Sequence, residues 1–330
     1  MPQRERVTLA EIARTAGVSI ATVSRVLNGH TEVSESTRVV VQRLLEEQGY
    51  RRRTTHRRDQ RGLIELVISE VDCGWCLGVM AGVEEIAATA GYGVVLSTVQ
   101  QRSDSLPVSG SQGVILVVCG LTGEQRAELD RRKVPYVVVD GVSHPPVDVP
   151  SVGVTDWAGG YSATQHLIEL GHRRIAAIGG PEQLLCTRAR VAGYRAALRA
   201  AGLPLDGELV RYAEFRHDGG LEAARSLLEL ADPPTAVFAG NDEQATGVLE
   251  AVRQRELRVP GDISVVGFDD RSFAQWTAPP LTTVRQPLHE MGAAAVRTLL
   301  RLVEGQRPDV PRIELATQLV VRQSTSAAAA

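Results

Sequence analysis

The chain has 330 residues, 43% of them hydrophobic and 23% charged, with a formal net charge of −3. That length exceeds what one hydrophobic core usually serves, so two or three domains are expected. No apolar run approaches the ~18 residues of a membrane span. Near-neutrality hides an asymmetry: residues 1–61 carry 12 Arg against 7 Asp and Glu, a +5 head on a −8 body. A basic head suits phosphate neutralisation, although a solvated charged face would give the same sum. Met1 to Glu11 contains no apolar signal core, so the cytoplasm is the expected compartment. Cys73, Cys76, Cys119 and Cys186 are too few and scattered for a disulfide framework, and no second pair completes a metal set around the Cys73/Cys76 CxxC. Neither metal nor cofactor is expected.

Thr8 followed three residues on by Glu11 is a capping box opening a short helix, with Leu9, Ile12, Ala13 and Ala16 inward. Gly17 ends it, and Ser19 can cap a second helix, Ile20 to Leu27. Val23 with Val26 or Leu27 then face inward, leaving Ile20, Ala21, Thr22, Ser24 and Arg25 outward. A third helix is predicted from Ser34 to near Gly49, with Val39, Val40, Leu44 and Leu45 as its buried stripe. Two short helices joined at a glycine make a helix-turn-helix.

The run VTLAEIARTAGVSIATVSRVLNGHTEVSESTRVVVQRLLEEQGY resembles, almost position by position, the DNA-binding head of the LacI/GalR family of bacterial repressors. The resemblance implies that Ile20 to Leu27 is the recognition helix, with Ile20, Ala21 and Arg25 reading base edges. Arg can take guanine O6 and N7 bidentately, and Ile and Ala can touch thymine methyls. Thr8, Ser19, Thr22, Ser24 and Asn28 are donors of the kind that fix register on phosphates, and Thr8 and Ser19 serve equally as helix caps. One such head covers a half-site, so the expected partners are double-stranded palindromic operator DNA and a second copy of the chain in a homodimer.

After Tyr50 the chain departs from the family. It has Asp59 where a Leu usually wedges into the minor groove, and an anionic side chain has no reason to enter the base stack. Six Arg fall within eleven residues, among them Arg51, Arg52, Arg53 and Arg57. They read either as an electrostatic arm on the DNA backbone or as a disordered basic linker.

From Gly62 onward, β-branched runs alternate with amphipathic stretches, the pattern of parallel sheets flanked by helices. Strands are predicted at 63–69, 93–99, 113–119, 136–141, 174–180, 235–240 and 263–268, with helices between most of them. They divide near residue 155 into two α/β halves similar to the periplasmic-binding-protein architecture, which extends the resemblance to the terminal stretch IELATQLVVRQST. Between Val99 and Gly113 the segment is too short and Ser/Pro-rich for the family's usual helix. The expected fold is a small all-α helix-turn-helix head plus an α/β effector domain of two parallel-sheet lobes. The head would span 1–50, a basic hinge 51–62 and the effector domain 63–330. Lobe 1 would take about 63–154 plus 288–315, and lobe 2 about 155–287 plus 316–325.

Ligands of open α/β sheets bind beyond the carboxyl ends of strands, which here carry Ser69, Asp140, Asn241, Asp242, Asp269 and Asp270. The family resemblance adds Arg190, Phe215 and Gln286 to the effector cleft. Asp140 and Asp269 as acceptors, Arg190 as a multiple donor and Asn241 as an amide suit the dense hydroxyls of a mono- or oligosaccharide. Phe215 and Trp75 could stack on a ring face. Helix capping would equally account for Asp242 and Asp269, and a salt bridge for Arg190. No GxSxG, GxxxxGK[ST], GxGxxG or HExxH motif is present, so an enzyme is not expected. The expected function is transcriptional repression relieved by a sugar. The alternatives are a corepressor of purine type and a stand-alone sugar-binding protein.

Overall fold

The structure is a computed structural model that describes residues 9–27, 33–47, 61–69, 74–98, 110–118, 122–143 and 145–328. The chain divides into two units, Met1–Asp59 and Gln60–Ala330.

The first unit holds α1 (Leu9–Ala16), α2 (Ile20–Leu27) and α3 (Glu35–Glu47). Gly17, at φ +66°, ends α1 with its amide donating to the Arg14 carbonyl at 3.3 Å. The Ser19 hydroxyl accepts from the Thr22 amide at 3.1 Å and so caps α2. Ile12, Ala13, Val23, Val26 and Val41 form the core. The stripe expected on α3 is one residue out of phase: Val39 and Val40 are 58% and 48% exposed, while Val41 is fully buried. Of three successive valines only one can share a face with both Leu44 and Leu45, and the residue three and four positions before them is Val41.

The second unit begins with β1 (Gly62–Ile68), α4 (Gly74–Thr89), β2 (Tyr92–Thr98), β3 (Gly113–Val117), α5 (Gly123–Arg131), β4 (Tyr136–Val139) and β5 (Ser151–Val154). It continues through α6 (Asp156–Glu169), β6 (Ile175–Gly179), α7 (Leu185–Ala200), β7 (Val210–Tyr212), α8 (His217–Leu228), β8 (Ala236–Ala239), α9 (Asp242–Gln254) and β9 (Ser264–Asp269). Last come β10 (Thr282–Arg285), α10 (Leu288–Val303), β11 (Arg312–Leu315) and β12 (Gln318–Val320).

Two six-stranded sheets result, ordered β11-β5-β4-β3-β1-β2 and β12-β10-β9-β8-β6-β7. Every pairing is parallel except β12 against β10. The chain passes between the sheets three times, at Thr155, between β10 and α10, and at Thr317; the hydroxyls of Thr155 and Thr317 lie 3.0 Å apart. Among the strands with no counterpart in the predicted runs are β5, β7, β10 and β11. They are three or four residues long and broken by Gly, Arg or Glu, too short for a periodic signal. The terminal stretch divides into β11 and β12, one in each sheet. The expectation of a missing helix between Val99 and Gly113 concerns residues that lie largely outside the described ones.

Glycines set the distance between α6 and α7. A Cβ on Gly160 would collide with the Arg190 carbonyl oxygen, and one on Gly193 with that of Trp157. The two backbones therefore touch, which brings Asp156 at the start of α6 against Arg190 on α7.

Candidate functional site

On α2, Ile20 is 53% exposed, Ala21 and Arg25 are exposed, and Thr22 and Ser24 are half-buried. Burial of Val23 and Val26 leaves that outward set on one face, as helical spacing requires. Arg25 makes no hydrogen bond or ion pair among the described residues. Ser19 is exposed and bonded to Thr22, so capping leaves it at the surface. Thr8, Asn28, Arg51, Arg52, Arg53, Arg57 and Asp59 lie outside the described residues.

In the second unit, Ser69, Trp75, Asp140, Arg190, Phe215, Asn241 and Asp269 line one cavity of about 200 Å³ between the carboxyl ends of the two sheets. The carboxyl ends of β1, β4, β8 and β9 supply four of them. Asp140 and Asp269 adopt φ of 46° and 112°, left-handed conformations that cost a non-glycine residue about 1–3 kcal/mol. Strain at both strand ends is the backbone's cost of turning the chain at the cavity wall. Gln286 is not on that wall: it is 4% exposed and sits behind Asp269, donating from Nε2 to Oδ1 at 2.6 Å.

Arg190 is the electrostatic centre. Its Nε donates to Asp156 Oδ1 at 2.8 Å, its Nη1 donates to the Gly240 carbonyl at 2.7 Å, and Asp269 Oδ1 stands 3.8 Å from Nη1. The guanidinium lies 3.8 Å over the Phe268 ring and 5.7 Å from that of Phe215. Burial alone would lower its pKa, but Asp156 and its other anionic neighbours raise it above the ordinary value, so it stays charged. Burial pushes the Asp269 carboxyl up to about 6, against the opposing pull of Arg190 and Gln286. The salt-bridge and cleft readings of Arg190 therefore hold together: its Nε and Nη1 are bonded inside the protein, and the residue also lines the cavity.

Asn241 caps α9, its Oδ1 accepting from the Gln244 amide at 2.8 Å while its Nδ2 donates to the Phe215 carbonyl at 3.1 Å. Gln244 Nε2 donates to the carbonyls of Ala213 and Glu214 at 3.2 and 3.0 Å, fixing the loop that carries Phe215. The Phe215 ring rests on Gly180, where a Cβ would overlap it. Asp242 is neither cap nor cavity wall; fully buried, it accepts from Thr283 Oγ1 and from the Arg271 amide. Asp270 points elsewhere, held by Arg285 and Arg322 at 2.7 and 2.6 Å, so Asp269 and Asp270 form no dyad.

Sequence reasoning missed Asp156, Cys186, Glu214, Arg216, Glu243 and Arg271. Glu214 and Arg216 flank Phe215, while Glu243 stands four residues after β8 and Arg271 two after β9, within reach of a longer reading of the same connections. Asp156 gave no signal because the strand before it was not recognised. Burial pushes the Cys186 thiol to about 12, so it is an inert lining group. Among the described residues no His, Cys, Asp and Glu cluster could hold a metal, and no helix is long and apolar enough to cross a membrane. A larger cavity of about 670 Å³ runs along β5, β11 and α6, but of the expected cleft residues it gathers only Asp140.

Residues 8–53 match the family of bacterial regulatory proteins of lacI type, and residues 164–325 match the periplasmic binding protein-like domain. The chain is 37% identical to the HTH-type transcriptional regulator CelR of Thermobifida fusca, over 98% of this chain and 100% of that one. It is 33% identical to catabolite control protein A of Priestia megaterium, over 97% and 99%. Among solved structures it superposes on a CelR–cellobiose complex with a TM-score of 0.72 at 35% identity, covering 97% of this chain and 100% of the other. The lac repressor dimer bound to operator and the anti-inducer ONPF also gives 0.72, at 29% identity over 98% and 100%. With relatives that are regulators rather than enzymes across nearly its full length, the chain belongs to the lacI family of bacterial transcriptional regulators.

Proposed function

We propose that this regulator represses sugar-utilisation genes in the cytoplasm and leaves its operator when a sugar fills the cleft. The observation that carries the reading is the cavity itself. Carboxylates, guanidinia, an amide and two aromatic rings converge on about 200 Å³, the mixture of acceptors, donors and ring faces that a polyhydroxylated ring requires. The relative solved with cellobiose supports the same ligand class. In the head, Ile20, Ala21 and Arg25 read the major groove while Thr8, Ser19, Thr22, Ser24 and Asn28 hold phosphates. Arg51, Arg52, Arg53 and Arg57 add electrostatic grip along the backbone. Two copies bind a near-palindrome as a homodimer, and Trp276, 74% exposed, is an apolar group that a second copy would cover.

Sugar and operator then weaken each other reciprocally, with coupling of the usual ~5–150-fold. The test is fluorescence anisotropy on DNA upstream of the chain's own gene at fixed salt, titrated with a panel of sugars. One sugar should release the wild type, and a Phe215→Leu variant should bind the same DNA with a weakened response. Retention strengthened by a ligand would make the cleft a corepressor site; sugars without effect on specific retention would overturn the effector reading.

A further inference from the structure

Arg271, which no expectation covered, reaches from one lobe to the other. It follows β9 in lobe 2, yet its guanidinium lies on the first residue of α4 in lobe 1. A Cβ on Gly74 would fall 2.5 Å from Arg271 Cζ and overlap Nη2. The side chain is held from below and beside. Its amide donates to the buried Asp242 carboxylate at 2.7 Å, its Cζ stands 5.8 Å from the Phe273 ring centre, and Nη1 lies 3.9 Å from Glu243. Gly74, Trp75, Glu243 and Arg271 all line the cleft, so the guanidinium roofs it on the Trp75 side. Beneath that roof the volume is about 200 Å³, short of the ~300–1,000 Å³ of sites for drug-sized ligands. That space is on the scale of one hexose ring.

We propose that Arg271 is the specificity gate of the cleft: seated on Gly74 across the two lobes, it restricts the effector to a single ring. The inference rests on the sugar reading above and sharpens it from sugars in general to monosaccharides. Glycine at position 74 is part of the device, because any side chain there would occupy the place of the guanidinium. Truncating Arg271 opens the roof and leaves room for a second ring toward α4. Gly74→Ala acts in the same direction by pushing aside the flexible tip of Arg271 while adding little bulk of its own.

The experiment uses the full chain in three forms, wild type, Arg271→Ala and Gly74→Ala, each titrated calorimetrically with glucose, galactose, mannose and cellobiose. In parallel, acrylamide quenching is measured without sugar in a Trp157→Phe/Trp276→Phe background, where Trp75 is the remaining tryptophan. The wild type should favour a monosaccharide over cellobiose by about tenfold or more, the discrimination a steric wall commonly provides. Arg271→Ala should lose that preference, Gly74→Ala should lose part of it, and Trp75 quenching should rise in both. A wild type that favours cellobiose, a preference unchanged in Arg271→Ala, or quenching unchanged by either substitution would overturn the gate. Quenching that rises in a protein that binds none of the sugars would leave the gate standing and refute the sugar reading instead.

Discussion

Arg190→Ala is the substitution for which the structure gives the firmest magnitude. The guanidinium neutralises Asp156 and Asp269, which are 8% and 5% exposed, and truncation leaves both carboxylates buried without their cation. Removing one partner of a buried pair costs about 3–5 kcal/mol, the desolvated contact over Phe268 being part of the same loss. In a domain of this size about 2–4 °C accompanies each kcal/mol, so the main thermal transition should fall by roughly 6–20 °C. The loss should also depend on pH with a definite sign. Asp269 already titrates near 6 in the folded protein, above its unfolded value, and without Arg190 it rises further. A group raised in this way binds its proton more tightly when folded, so the variant gains stability as pH falls through the raised pKa and loses it as pH rises. The gap to wild type should therefore be widest near pH 8 and narrow toward about pH 5. Urea unfolding followed by circular dichroism at both pH values measures it. A gap under about 1 kcal/mol at neutral pH, or one that stays constant between the two, would refute the buried-pair account.

Effector affinity should rise with pH up to about 6 and then level off, because the Asp269 carboxylate accepts from ligand hydroxyls more strongly than the protonated acid does; calorimetry across that window, with a flat profile as the contrary result, decides it. Gly160→Ala should destabilise by about 1–3 kcal/mol, since its methyl meets the Arg190 carbonyl rather than a yielding side chain; equal melting of variant and wild type would contradict the close α6–α7 approach. In the head, Val41→Ala should cost about 1.5–3 kcal/mol and Val39→Ala under about 0.5, because only Val41 is buried; amide exchange of α1 to α3 compares them, and equal losses would show the helix phase to be wrong. Arg25→Ala should relax discrimination at one base pair by about 1–3 kcal/mol, measured by anisotropy on single-base operator variants; uniform weakening across all variants would make Arg25 a phosphate contact.

The helix-turn-helix was legible because its signals are local: a glycine that accepts positive φ, a serine cap, and apolar residues at helical spacing delimited Ile20–Leu27. The long β-branched runs of β1, β3, β4 and β9 were legible for the same reason, and looking for polar residues at the carboxyl ends of strands found Ser69, Asp140, Asn241 and Asp269 of the cleft lining, while Arg190 and Phe215 came from the family resemblance. Other features exist only through contacts between distant segments. The short β5, β7, β10 and β11 are strands because neighbours supply their hydrogen bonds. Val41 rather than Val39 is buried because α1 and α2 choose the face. Gln286 stands behind Asp269, Asp156 meets Arg190, and Arg271 lies on Gly74 only once the lobes are assembled. Residue type and spacing state which chemistry a chain can offer; which donor is spent internally and which faces a ligand depends on distances of a few ångström between residues far apart in sequence, and the folded packing alone sets those.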